Sequence, residues 1–205
     1  MHFAIAIEII ESTKKYLIHV HMKKQIGNNP WKCLNTRKIY ENPWILVEED
    51  QVLRPNGSEG IYGRVHMYNQ AIGIIPLAEN MDTWLVGQYR YPLNEYSWEI
   101  PTGGGPMHED KLYSAKRELR EETGLIANKW RQLLRIHTSN SITDEEGFIF
   151  LAEDLKLGET DFDDTEDLQV WRLPLKDALD MAMDGRITDS MSLAAILKLS
   201  KILKL

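Results

Sequence analysis

Glu118, Glu121 and Glu122 fall within one stretch of five residues, with Arg117 immediately before them, Glu109 upstream and Gly124 just beyond. On a helix Glu118 lies at i, i+3 from Glu121 and at i, i+4 from Glu122, so three carboxylates project from one side and repel one another. A hard divalent metal turns that repulsion into coordination, because Mg²⁺ prefers carboxylate and phosphate oxygens in octahedral geometry. Arg117, at i, i+4 from Glu121, can orient a carboxylate or offset part of the charge. The competing reading is a solvated helix laced with ion pairs, the ordinary use of a charged run. Two features count against it. Gly103-Gly104-Gly105-Pro106 makes a tight loop leading into the helix, and acids outnumber cations on the proposed metal face.

The element that must carry these groups is legible. Asp110 to Thr123 contains no Gly or Pro and is rich in helix formers, and Gly124 is the expected C-terminal stop. Leu112, Ala115, Leu119 and Thr123 give a buried stripe, leaving the glutamates on a different face.

Gly103, five residues, Glu109, seven residues, then Arg117-Glu118-Leu119-Arg120-Glu121-Glu122-Thr123-Gly124-Leu125 matches the Nudix box at every defined position, with seven identities and two aliphatic sites. The box covers 23 of 205 residues. On this stretch the chain resembles the Nudix hydrolases. The resemblance implies an α/β/α sandwich with a mixed central sheet, and Mg²⁺-dependent hydrolysis of a nucleoside diphosphate linked to another moiety, with Mn²⁺ as a substitute. Glu118 and Glu122 would hold the metal, assisted by Glu121 and the Thr102 carbonyl. Glu109 would support Arg117 and the metal shell, and Gly103 and Gly124 would shape the box.

Further segments resemble the ADP-ribose pyrophosphatases of that family. Gln88-Tyr89-Arg90 and Trp98-Glu99-Ile100-Pro101-Thr102-Gly103 are similar to their Q-Y-R and E-L-P-A-G stretches. Arg90 would then bind a phosphate or shape the pocket, a role suited to its fixed fork of donors, with a surface ion pair as the alternative. Glu99 lies beside the site. Thr102 replaces the usual Ala, which is immaterial to a backbone ligand. Ser139 and Thr143-Asp144-Glu145 match a loop of the form S-P-G-x-S/T-D-E, while Asn140 and Ser141 stand where that group has Pro and Gly. Glu145, or in second place Glu146, would accept the proton of the attacking water. Gly185-Arg186-Ile187-Thr188-Asp189 and the helix after it look similar to that group's C-terminal end.

The remaining elements follow from pattern. Trp44–Val47 and Ile61–Met67 read as strands around a charged turn at Glu48–Asp50 and a Pro55-Asn56-Gly57 turn. ADP-ribose-type Nudix enzymes resemble this layout, with an N-terminal β region that contributes to a dimer and aromatics that can stack on adenine; Trp44 and Tyr62 are the candidates, with a core or interface role equally open. Ala71–Leu77, Thr83–Gln88, Arg131–His137, Gly147–Ala152 and Leu168–Leu173 read as strands, and Leu175–Met183 and Ser190–Leu203 as amphipathic helices. The acidic segment 159–167 reads as a solvated loop. Nearer the start, the apolar run 3–10 lacks a basic n-region and cleavage site, and His19 and His21 share a strand face without a nearby third ligand. The expected division is an extension over 1–30, a β subdomain over 31–68 that serves dimerisation, and the hydrolase domain over 69–205.

Composition bounds the partners. Lys and Arg number 24 against 31 acids, a net charge of −7, which argues against a broad nucleic-acid footprint. A small anionic substrate remains compatible because a bound metal supplies local positive charge. Cys33 is the single cysteine, so there is no internal disulfide, and a cytoplasmic setting is expected. No apolar run reaches membrane-span length. The expected assembly is a homodimer without nucleic-acid or membrane partners. ADP-ribose, giving AMP and ribose 5-phosphate, is the favoured substrate; GDP-mannose or a UDP-sugar, or a non-catalytic nucleotide-sensing role, are the alternatives.

Overall fold

The computed structural model describes residues 27–158 and 168–205. The expectations for residues 3–10, His19, His21 and the acidic stretch 159–167 lie outside the described residues. In chain order the strands are β1 (Lys32–Glu41), β2 (Ile45–Leu53), β3 (Glu59–Met67), β4 (Asn69–Pro76), β5 (Asp82–Arg90), β6 (Glu95–Glu99), β7 (Thr102–Pro106), β8 (Leu125–His137), β9 (Glu146–Leu157) and β10 (Gln169–Pro174). The helices are α1 (Lys111–Thr123), α2 (Leu175–Met183) and α3 (Ser190–Leu203).

The strands form sheets ordered β1-β2-β3, β10-β5-β6 and β7-β4-β9-β8. In the last of these β4 runs parallel to β9, while the β4–β7 and β8–β9 pairs are antiparallel, so the sheet is mixed as expected. Side chains alternate across a strand with period two, and β9 uses both faces. Phe148, Phe150 and Ala152 pack with Ala115 and Leu119 of α1. Ile149 and Leu151 join Leu175 and Ala178 of α2 and Ile196 and Leu199 of α3. Each fully buried side chain of this size contributes about 1.5–3 kcal/mol, so two apolar layers hold the sheet between helices. The result is the α/β/α sandwich that the family resemblance implies.

By compactness the chain divides into two units. Thr36–Asp50 and Tyr62–Leu205 form the larger one. Of the described residues, the other takes 27–35 together with Gln51–Ile61, and within it Gly57, at φ 83°, makes the Pro55-Asn56-Gly57 turn closed by Arg54 N–H donating to the Ser58 carbonyl at 2.8 Å.

Two local expectations are corrected, and one strand is added. Glu48–Asp50 is not a turn but the middle of β2. Glu48 and Asp50, two residues apart and therefore on one face, both meet Arg64 of β3, at 2.6 and 3.0 Å, and Thr36 donates its hydroxyl to Asp50 at 2.6 Å. The glycine run is likewise a strand, β7, rather than a loop, because residues without Cβ let α1 approach. A Cβ on Gly105 would come within 2.9 Å of Ser114 Oγ and 3.0 Å of Ile72 Cγ1. Strand β1 is an addition: all ten of its residues are exposed, so it carries no alternation of apolar and polar positions for a pattern to reveal.

Candidate active site

Helix α1 is fixed at both ends by its own sequence. Asp110 caps the N-terminus, its carboxylate accepting the Tyr113 N–H at 3.0 Å, and Gly124, left-handed at φ 69°, donates its N–H to the Arg120 carbonyl at 2.8 Å. Ala115, Leu119 and Thr123 are buried as the stripe predicts, and Leu112 is partly buried against the same cluster. The neighbouring row of Ser114, Glu118 and Glu122 is buried too, so two of the glutamates face protein rather than water.

What they face is β7 and the residues just before it. Glu122 accepts the Thr102 backbone N–H at 2.8 Å. The Glu118 carboxylate lies over Gly103, where any Cβ would collide with it. Arg117 Nη1 stands 2.8 Å from both Glu118 Oε1 and Glu121 Oε2, and its Nη2 donates to the Gly104 carbonyl at 3.1 Å. Burial works against the Arg117 charge, but Glu118, Glu121 and the more distant Glu109 outweigh it and hold the guanidinium more firmly protonated than usual. Glu109 accepts the Ser114 hydroxyl, tying the loop before α1 to the helix.

A cavity of about 470 Å³ has Arg90, Glu99, Thr102, Gly103, Glu145 and Asp189 among its walls, while Arg117, Glu118, Glu121 and Glu122 are not in its lining. Arg90 and Glu99 form a bidentate pair across the β5–β6 hairpin, with Nε 2.9 Å and Nη2 2.5 Å from the two carboxylate oxygens. The Glu99 hydrogen bonds hold Arg90 strongly protonated against the opposing effect of burial, and Asp189 and Glu122 add to its anionic surroundings. Burial pushes the Glu99 carboxyl up, but Arg90 and the Ser97 hydroxyl outweigh it and hold it below the ordinary range.

The two candidate acids of the 138–146 loop stand in different places. Glu145 lines the cavity, accepts the Thr138 hydroxyl, and is fixed at its backbone by N–H donation to Thr143 Oγ1 at 2.8 Å. Glu146 begins β9 and forms an ion pair with Arg135 of β8. Trp44 lines the cavity and is 65 % exposed. Tyr62 instead donates its hydroxyl to the Ser141 carbonyl at 2.6 Å. A second groove of about 410 Å³, between α1 and β8, is walled by Lys116, Arg120 and Trp130 among others and has no carboxylate in its lining, so it offers no ligands of this kind.

Asp189 and Thr138 are cavity residues that pattern reading did not single out. Asp189 carries a visible signal, since it caps α3 by accepting the Ser192 N–H at 2.7 Å, but a cap signal does not distinguish a pocket wall from a surface. Nothing local marks Thr138.

Among the described residues no three His, Cys, Asp or Glu side chains already converge as a metal-ligand set. Glu121 is turned to Arg117 and Glu122 to the Thr102 N–H. The donor chemistry nonetheless fits a hard divalent cation: two buried carboxylates one helical turn apart, a third beside them, and the neighbouring Thr102 carbonyl are all oxygen donors.

The chain matches the NUDIX domain over residues 67–191, and the nucleoside diphosphate sugar hydrolase N-terminal domain over residues 31–65. It is 29% identical to an ADP-ribose pyrophosphatase of Bacillus subtilis (strain 168), over 80% of this chain and 90% of that protein. It is 30% identical to a methanol dehydrogenase activator of Bacillus methanolicus, over 84% of this chain and 95% of that protein. A crystal structure of an ADP compounds hydrolase superposes with a TM-score of 0.78 at 23% identity, covering 87% of this chain and 96% of that one.

Proposed function

The chain belongs to the Nudix family, as a pyrophosphohydrolase, and from that premise we propose that it cleaves the pyrophosphate of ADP-ribose to AMP and ribose 5-phosphate. The observation that carries the reading is the shared cavity. Arg90, Thr102, Gly103 and Glu145 wall one space, and the buried carboxylates of Glu118 and Glu122 lie directly behind Gly103 and Thr102.

Glu118 and Glu122 would hold the divalent ion, Mg²⁺ or in its place Mn²⁺, assisted by Glu121 and the Thr102 carbonyl. When bound, such an ion would offset pyrophosphate charge, polarise phosphorus and acidify a coordinated water. Arg117 keeps the carboxylates oriented, and Glu109 supports the turn before α1. Arg90, braced by Glu99, presents a planar cation to the phosphates. Glu145 accepts the proton of the attacking water; Glu146, engaged by Arg135, is placed to support the loop instead. Trp44 is exposed at the cavity wall, where an aromatic face can stack on the base, and Tyr62 acts through the loop it binds.

The same reading assigns residues 69–205 to the hydrolase domain, 31–68 to a β subdomain and 1–30 to an extension. The exposed apolar side chains Leu34, Ile39 and Tyr40 on β1 suit coverage by a second copy, so the β subdomain is the dimerisation region. No helix among the described residues is long and apolar enough to cross a membrane. A cytoplasmic enzyme acting on a soluble nucleotide agrees with the single cysteine.

Asn140 and Ser141, standing where the ADP-ribose group has Pro and Gly, favour one second reading, a hydrolase of another nucleotide sugar such as GDP-mannose or a UDP-sugar. Phosphatase-coupled phosphate release from ADP-ribose, GDP-mannose, UDP-glucose and dinucleotides, with and without Mg²⁺, separates the two. ADP-ribose is expected to give the highest kcat/KM; a higher value for another member would discard the specificity while keeping the chemistry.

A further inference from the structure

The loop that carries Glu145 joins β8 to β9, yet much of its anchorage comes from β3. Val65 donates its N–H to the Ile142 carbonyl at 2.8 Å and accepts the Asp144 N–H at 3.3 Å, giving a one-residue parallel bridge between Val65 and Thr143. Tyr62 donates its hydroxyl to the Ser141 carbonyl at 2.6 Å. The Asp144 carboxylate closes the set: Met67 N–H donates to Oδ1 at 3.0 Å, and His66 Nδ1 is hydrogen-bonded to Oδ2. The His66 ring is itself backed edge-on by Tyr68 at 5.3 Å, and the Tyr68 hydroxyl donates to Glu41 at 2.6 Å. Four consecutive loop residues, 141–144, are therefore tied to residues 62–67 of one strand. The next residue is Glu145.

We propose that Asp144 and His66 form a positioning pair that fixes the Glu145 carboxylate over the cavity, so that β3 governs turnover without contributing an atom to the reaction. The proposal rests on Glu145 being the proton acceptor. Adjacent Cα atoms are held about 3.8 Å apart, so clamping Asp144 by two hydrogen bonds leaves Glu145 little freedom except its own side-chain torsions. A general base misplaced by about 1 Å can cost on the order of 10²-fold in rate. Asp144 is partly exposed and contributes nothing to the apolar core, so its two specific bonds serve the loop rather than the fold.

The test compares Asp144→Ala, Asp144→Asn, His66→Ala and His66→Asn in the full chain, reading kcat and KM for the best nucleoside diphosphate substrate and amide hydrogen exchange over residues 139–146. Asp144→Ala is expected to lower kcat by about 10–100-fold with KM changed less than about threefold, and to speed exchange in the loop. Asn at position 66 can place an amide N–H where Nδ1 stands, so His66→Asn should keep turnover within about threefold while His66→Ala falls about tenfold. Added to Glu145→Gln, Asp144→Ala should cost no further rate, because it acts through the group already removed.

Turnover of Asp144→Ala within twofold of wild type, equal loss in both His66 variants, or an additive loss in the Glu145→Gln background would each overturn the proposal. The exchange data separate its failure from that of its premise. Unchanged loop exchange in Asp144→Ala, with Glu145→Gln still impaired, removes the anchoring alone. Full turnover in Glu145→Gln removes the base, and the positioning role with it. Asp144→Asn keeps an acceptor for Met67 N–H and should fall between wild type and Ala; an Asn variant as impaired in melting as in turnover would mean folding, not positioning.

Discussion

Replacing Gly103 by Ala tests the packing of β7 against α1 with a single methyl group. Gly103 has backbone angles that other residues can adopt, so the effect is one of space rather than strain. The new Cβ would overlap the carboxyl carbon and both oxygens of Glu118, a side chain that is 11 % exposed. Either Glu118 swings away and gives up its 2.8 Å pair with Arg117, or β7 moves off the helix and stretches the 2.8 Å bond from Thr102 N–H to Glu122. Overpacking of this sort costs about 1–3 kcal/mol. For a domain of this size each kcal/mol shifts Tm by about 2–4 °C, so the variant should melt about 2–12 °C lower in EDTA. Disturbing a carboxylate of the proposed metal set should also raise the Mg²⁺ concentration for half-maximal activity by about 10–100-fold. Gly104→Ala is the control, since its Cβ would meet the Asn69 side-chain amide at 3.1 Å, a neighbour that can yield. Thermal melts and Mg²⁺ titrations of the two variants decide the matter. A Gly103→Ala protein that melts and titrates like wild type, or a Gly104→Ala protein equally damaged, would refute the placement of Glu118.

Arg90→Ala should raise KM and destabilise the fold by about 2–4 kcal/mol, below the top of the range for buried pairs because the Arg90 side chain is 36 % exposed. Arg90→Lys, lacking the fork, should recover only part of either loss in kinetics and urea melts. Glu145→Gln should lower kcat by about 10²–10⁴-fold, whereas Glu146→Gln should stay within about threefold; equal effects in steady-state assays would contradict the assignment. Because Arg90 holds the folded-state Glu99 carboxyl below its ordinary value, the associated stability is fully present above the unfolded-state pKa of about 4.3 and is lost as pH falls through the depressed folded-state value. Urea unfolding of wild type and Glu99→Gln from pH 7 to pH 3 should show a stability gap that closes below about pH 4.3; a pH-independent gap would sink this account of the pair.

The parts of the fold legible in the sequence are those where periodicity and chemistry agree. Asp110, the Ala115–Leu119 stripe and Gly124 announce α1, and Leu175–Met183 and Ser190–Leu203 are helices over the spans their apolar spacing indicates. Strand β1 is not visible in the pattern because a strand exposed along its whole length needs no two-residue alternation. Glu48–Asp50 looks like a turn in the sequence because the partner that makes two acids acceptable in a strand, Arg64, comes from a neighbouring strand. Three successive glycines look like a loop until a helix is seen to need their missing Cβ atoms. At the candidate site the box acids are local in sequence and could be named directly. Asp189 and Thr138 reach the cavity only through tertiary packing, and so does the attachment of the Glu145 loop to β3.

The most direct measurement is the product analysis of ADP-ribose incubated with wild type and with Glu122→Gln across a Mg²⁺ titration. Gln at 122 keeps a carbonyl oxygen able to accept the Thr102 N–H, so the fold should survive while one carboxylate of the proposed metal set is lost. The account predicts AMP and ribose 5-phosphate in equal amounts from wild type, only when a divalent cation is present, and turnover reduced by about 10²-fold or more in the variant at equal Mg²⁺. Cleavage that needs no divalent cation, or a Glu122→Gln enzyme as active as wild type, would contradict it.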